Sequence, residues 1–221
     1  MRALIAIFAC FAAIVSFAAE QKIGGADLLV EATSEARAGH LDAALASVAA
    51  AEKSGASESN VLALRGLIHL EQEKLDEAVA EFRAAHEKDP KVAGPRFHLG
   101  DALLRQKKWE DARAIYGAME KETNVLILNE RLRYAILLTF LGAKDDAGAK
   151  AALDRLVFPT ESPAYYYAQA AWAFAHDSKS AAEKWLKTAD KMFEQKKQTA
   201  WFARPLYDFG WIKDKPPIPL D

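Results

Sequence analysis

The sequence predicts an all-α fold, a solenoid of stacked antiparallel helix hairpins, and three observations carry that expectation. The chain repeats itself: GHLDAALASVAAAEKS ends at Ser54, EKLDEAVAEFRAAHEK at Lys88 and QKKWEDARAIYGAMEK at Lys121, which sets Leu41, Leu75 and Trp109 34 residues apart. Self-similarity at that period marks supersecondary units that bury their apolar faces only by stacking on one another. Ala, Leu, Glu, Lys and Arg abound, while the 11 Gly and 8 Pro fall mostly between periodic segments, which favours helix over strand. Within each segment apolar residues recur at i, i+3 or i+4 and i+7, giving one buried stripe per helix.

Taken in chain order, residues 1–18 read as a secretory signal peptide. One cation, Arg2, precedes an uncharged apolar run from Ala3 to Ala19. Cleavage after Ala18 places small Ser16 and Ala18 at the two positions a signal peptidase inspects, whereas cleavage after Ala19 places Phe17 at one of them. The run also reaches the lower limit for spanning a bilayer, so an uncleaved anchor stays open. Cys10 lies inside the run rather than closing it, which argues against a lipid-modified cysteine. The processed chain then has no cysteine for a disulfide or a thiolate metal site. Removing Arg2 leaves 28 Lys and Arg against 31 Asp and Glu, with no long block of one sign. That balance argues against a nucleic-acid partner.

The first hairpin unit, 25–58, has Leu28 and Ala32 on its first helix, Gly39 at the turn, and Leu41, Ala44, Val48 and Ala51 on its second. Unit two, 59–92, repeats this with Leu62, Gly66 and His69, then Leu75, Ala78, Phe82 and Ala85. Gly66 and Ala78 have almost no side chain, so the two helices approach near the lower end of the usual range of about 8 to 10 Å. Phe82 fills the joint between units, and Asp89-Pro90 stops the second helix. Unit three, 93–126, carries Leu99, Gly100, Trp109, Ala112 and Tyr116, but Met119 and Asn124 replace the small residue and the Pro. Unit four is expected at 128–161, one residue late, with Ala135, Gly142, Ala147 and Pro159 in phase; its Asp154 departs from the small residue. Unit five, 162–196, is degenerate: Tyr165, Ala181 and Trp185 fit, but Gln169 replaces the small residue and His176 the turn Gly. Ala44, Ala78, Ala112, Ala147 and Ala181 are thus expected at the close contact inside each hairpin.

These residues resemble the tetratricopeptide repeat (TPR) family, whose motif wants small residues at its eighth, twentieth and twenty-seventh places and an aromatic at the twenty-fourth. The resemblance implies a right-handed superhelix whose first helices line a concave, partner-binding face. The residues it assigns to that face are Leu29, Thr33 and Arg37 in unit one; Leu67, Leu70 and Glu71, with Ala63, in unit two; Phe97, Asp101, Leu104 and Arg105 in unit three; Leu132, Ile136 and Phe140 in unit four; and Tyr166 and Phe174 in unit five. The face is largely apolar. It lacks the Lys, Asn and Arg cluster of the carboxylate-gripping subclass, since Leu29, Thr33, Ala63 and Leu67 stand there. Two readings stay open for it, a groove for an apolar or amphipathic segment and plain core.

Residues 197–221 break the repeat. Five rings, Trp201, Phe202, Tyr207, Phe209 and Trp211, precede a Pro-rich end that should not stay helical. Such a density of rings is rarely left in water. The expected role is an aromatic cap on the apolar face of the last hairpin, with occupation of the concave groove and a partner-binding strip as the alternatives.

Catalysis has no visible anchor: the chain has no Gly-rich phosphate loop, no HExxH, no GxSxG and no His or Cys pair at metal spacing. His69, His98 and Glu71 on adjacent first helices suggest a metal less than they suggest a packed interior. The function expected is therefore an exported, non-enzymatic scaffold, without cofactor or metal, that binds another protein or peptide. The alternatives are a membrane- or cell-wall-attachment module, to which Lys184, Lys187 and Lys191 lend a basic face, and an accessory subunit of an enzyme complex.

Overall fold

The computed structural model describes residues 24–160, 162–193 and 196–217; the expected signal peptide lies outside them. Five hairpins follow one another as α1 (Gly25–Arg37) with α2 (Leu41–Lys53), α3 (Glu58–Glu71) with α4 (Leu75–Lys88), α5 (Ala93–Arg105) with α6 (Trp109–Glu122), α7 (Leu126–Gly142) with α8 (Asp146–Leu153), and α9 (Ala164–Ala175) with α10 (Lys179–Met192). An eleventh helix, α11 (Lys196–Asp208), closes the described chain. From α1 to α10 each helix packs on its neighbours in sequence, α11 packs on α9, and first helices of adjacent units also touch, as α1–α3, α3–α5 and α7–α9 do. The result is the helical solenoid expected from the sequence.

Each hairpin turns in the same way. Gly39, Glu73, Lys107, Lys144 and Asp177 adopt left-handed φ angles of 82°, 61°, 60°, 58° and 55°. The amide after each donates to a carbonyl five residues back: His40 to Glu35, Lys74 to His69, Lys108 to Leu103, Asp145 to Phe140 and Ser178 to Ala173. This is a Schellman closure, which satisfies carbonyls that the helix end leaves open. Only the first turn has the Gly that such an angle favours. The turn positions expected in units four and five, Gly142 and His176, are replaced by Lys144 and Asp177.

The same correction applies to the packing alanines. Ala44, Ala78 and Ala112 are fully buried, but Ala147 and Ala181 are exposed; the buried alanines equivalent to the first three are Ala149 and Ala182. Read along Ala44, Ala78, Ala112, Ala149 and Ala182, the spacing is 34, 34, 37 and 33. The turns have the same spacing. Unit four is therefore three residues late, because α7 runs 17 residues where α5 runs 13. The joint residues follow: Phe82 lies over Gly66, Tyr116 over Gly100, and in unit five both Trp185 and Leu186 pack against Ala170, Ala173 and Ala182. A Cβ on Gly66 would sit 2.8 Å from the Phe82 ring, and one on Gly100 would sit 2.4 Å from Tyr116, so neither position has room for a side chain.

Two larger cores result. One joins Ala32, Ala36, Ala44 and Val48 of unit one to Val61, Leu64 and Ile68. The other runs from Leu70 through units three to five and takes in Phe202 and Leu206 of α11.

Candidate functional site

The first helices do line one face, and α11 lies in it. This helix has an apolar stripe of Phe202 and Leu206, both buried, with Trp201 and Phe209 at its margins. Trp201 meets the start of α5, stacking on His98 at 5.1 Å between ring centres and edge-on to Phe97 at 5.5 Å. The Arg131 guanidinium covers its ring at 3.4 Å, a cation–π contact between two half-buried side chains. Phe202 packs between Tyr134 of α7 and Tyr167 of α9. The Tyr134 hydroxyl donates to the Phe202 carbonyl at 2.8 Å in the interior. Burial pushes the Tyr134 phenol well above its ordinary pKa and the Tyr167 phenol up to about 12, so both stay neutral donors.

Charge fixes the axial position of α11. Arg204 Nη1 lies 2.6 Å from Glu71 Oε1 of α3, with both side chains almost fully buried, and its Nε is 3.3 Å from Asp208. Arg105 of α5 reaches back to Asp208 at 3.7 Å and to Glu73 at 2.5 Å, while Lys215 Nζ is 3.1 Å from Glu71. Three acids thus face three cations. Burial works to lower the Arg204 pKa, but Glu71 and Asp208 outweigh it and hold it above its ordinary value. For Asp208 burial wins over Arg105 and Arg204, and its carboxyl is raised. A cavity of about 50 Å³ remains under α11, lined by Leu67, Leu70, Phe97, Leu104, Tyr134 and Leu138 among others.

Past α11 the chain turns at Gly210 and lays Trp109, Phe209, Trp211 and Phe174 in one ladder of near-parallel rings, at centre distances of 5.7, 4.6 and 5.9 Å. The tail therefore covers apolar surface, as a cap would, but along the first helices α3 to α9 rather than over the end of the last hairpin.

The expected face residues divide by unit. Leu67, Leu70, Glu71, Phe97, Asp101, Leu104 and Arg105 all line the space under α11. Asp101 also accepts the Tyr116 hydroxyl at 2.7 Å. In unit one Leu29 and Thr33 are half-buried and Arg37 is exposed, with the Thr33 hydroxyl donating to the Leu29 carbonyl. In unit four the expected set is on the wrong side. Leu132 is wholly buried, and Ile136 and Phe140 turn toward α6 and α8, where Arg113 sits 3.9 Å over the Phe140 ring. The residues that reach the face are Arg131, Tyr134 and Leu138, as the three-residue delay requires. In unit five Tyr166 packs on Trp185 and Phe193 of the α10 side, and Tyr167 takes its expected place; Phe174 does reach the face, through Trp211.

The arrangement holds one amphipathic helix of the chain itself, gripped by rings along its apolar stripe and by a buried charge pair along its edge. Among its polar groups Glu71, Arg105, Tyr134 and Lys215 hold α11 and the segment after it, while Asp101 is taken by the Tyr116 hydroxyl.

A tetratricopeptide repeat family model matches residues 69–125, from the end of α3 to the start of α7. A comparison with curated proteins finds no match. Repeats of this family generally mediate protein–protein interaction and are typically non-enzymatic.

Proposed function

We propose that the protein is an exported, non-enzymatic interaction module whose first-helix groove receives an amphipathic helix of a partner protein, with α11 as its resident intramolecular occupant. The observation that carries this reading is α11 itself. A groove that seats Trp201, Phe202 and Leu206 against α3, α5 and α7, and anchors an Arg through Glu71, has the shape and chemistry of helix-in-groove recognition. The match to tetratricopeptide repeats over residues 69–125 supports the same class of activity. A partner helix with an aromatic pair and an Arg at the corresponding spacing would replace α11 contact for contact.

Displacement sets the energetics. While α11 is seated, the groove is open in only a small fraction of molecules, and a competing helix binds more weakly by that fraction. The test follows directly. A chain ending before Lys196 is titrated with a labelled peptide of residues 196–217, and any partner recovered from an envelope extract is titrated against both the truncated and the whole chain. The peptide should bind the truncated chain, and the partner should bind that chain more tightly than the whole protein. Equal partner affinity for both would remove the groove from the function.

A further inference from the structure

We propose that the junction of units three and four is a contact site for an anionic phospholipid surface, with apolar tips entering the bilayer and a basic pocket beside them taking headgroup phosphates. Two independent observations meet there. Val125, Leu126 and Ile127, consecutive at the start of α7, are 56%, 65% and 60% exposed, and Val157 and Phe158 in the link from α8 to α9 are 65% and 60% exposed. These five are the majority of the eight large apolar side chains left in water among the described residues. The two segments lie side by side, because the Thr160 hydroxyl donates to Glu130 at 2.8 Å and Arg133 Nη1 donates to the Arg155 carbonyl at 3.3 Å. Those bonds tie the link to the first two turns of α7.

The second observation is charge. A pocket of about 440 Å³ between the ends of α6, α7 and α8 is lined by Arg113, Lys121, Arg133 and Arg155, with Glu120 and Asn129. Glu120 is shared between Arg133, at 2.9 Å, and Arg155. One carboxylate thus neutralises half of that pair, and Arg113 and Lys121 add to the excess. Among the described residues, Glu122 is paired with Arg96 and Asp154 with Lys150, while Glu130, bonded only to the Thr160 hydroxyl, keeps its charge, and the four cations still outnumber Glu120 and Glu130. Arg133 and Asn129 on α7, and Arg155 before Val157, place this pocket directly beside the apolar tips.

The combination favours a bilayer over a peptide. A groove shields its own lining, whereas these five side chains project, each more than half exposed, from a helix start and a loop. A bilayer needs no matching concavity. It accepts protruding aliphatic and Phe side chains below the headgroups and presents phosphates to cations set back from the tips. A wedge of this size gives reversible attachment only. No residue of the site lines the space under α11, so the inference stands or falls apart from the groove.

The experiment is vesicle flotation with the chain from residue 19 onward, which omits the apolar N-terminal run and keeps all of the described cores. The expected result is flotation with vesicles containing phosphatidylglycerol, little with phosphatidylcholine alone, and loss at high salt. Replacing Leu126→Ser and Phe158→Ser together should weaken binding at least about tenfold, from the apolar area lost. Arg155→Gln should weaken binding to the anionic vesicles about fivefold and leave the neutral ones unchanged. All three positions are exposed, so thermal melting should not move. Absence of flotation at low ionic strength, or flotation that these variants leave intact, overturns the assignment. So does a wild-type dimer that the Leu126→Ser, Phe158→Ser variant dissociates, which gives the face to a second copy, or an acidic protein retained only by the unaltered face.

Discussion

At the close-contact position of each hairpin a single methyl group is all the fold admits. Ala44, Ala78, Ala112, Ala149 and Ala182 are fully shielded, each three residues after the start of its second helix. Enlarging Ala149 or Ala182 to Leu forces the helices apart and should cost about 1 to 3 kcal/mol in chemical denaturation. The same change at exposed Ala147 or Ala181 should stay within about 0.5 kcal/mol. The reverse order would restore the register read from a constant period. His69 gives the residue scale its pH dependence. Burial lowers its pKa below the ordinary 6.5, against the pull of Glu81, and its Nδ1 is buried without a hydrogen-bond partner among the described residues. The folded state thus binds the proton less readily than the unfolded chain. Its contribution is whole above the unfolded value and is lost as pH falls through the folded one. From above pH 7 to about pH 5, the melting temperature of the parent should fall further than that of His69→Gln; parallel curves would remove His69 as the cause.

At the scale of the element, α11 is held by burial on one side and by the Glu71–Arg204–Asp208–Arg105 chain on the other. Removing Arg204 takes the buried partner from Glu71 and leaves it only the half-exposed Lys215, so Arg204→Met should cost up to about 3 to 5 kcal/mol. Glu71→Leu added to it should recover part of that loss, since the underpaired carboxylate goes too. A double-mutant cycle with no coupling energy would show that the pair is not what positions the helix. Asp208 acts in the opposite sense to His69: its carboxyl is raised by burial, so acidification does not weaken α11 docking through this residue. The density of rings from Trp201 to Trp211 and its need for cover are legible in the sequence. The helix that carries Trp201 and Phe202, and its seat, are not, because the surfaces it meets, Glu71, Phe97 and Tyr134, are contributed by residues 60 to 140 positions upstream. Pro205 sits within the last two turns of α11, and the helix continues to Asp208 despite the missing amide.

For the whole molecule, units one to three were readable because their second helices show one apolar stripe at a constant period. The constant period fails at α7, where nine of 17 residues are buried and they fall on every side of the helix. A helix enclosed all round has no stripe from which to take a register, so the extra residues of α7 left no mark until the alanines of α8 and α10 could be seen in place. That loss of register put Leu132, Ile136, Phe140 and Tyr166 on the wrong side, and Arg131, Tyr134, Leu138 and Tyr167 went unnoticed. The long-range contacts of α11 also decide how the solenoid unfolds. Stacked repeats interact only with neighbours, so their cooperativity is limited by the weakest joint. Here α11 spans that limit by tying α3, α5, α7 and α9 together, while α1 and α2 rely on the separate core of Ala32, Ala44 and Val48. Native-state hydrogen exchange should therefore show α1 and α2 opening at lower free energy than α5 and α7. Truncation before Lys196 should leave α1 and α2 almost unchanged, lower the protection of α5, α7 and α9, and broaden denaturant unfolding as the units separate. A truncated chain that still unfolds in one transition, with protection of α5 and α7 intact, would show that the stacked hairpins hold themselves and that α11 is only a passenger in the groove.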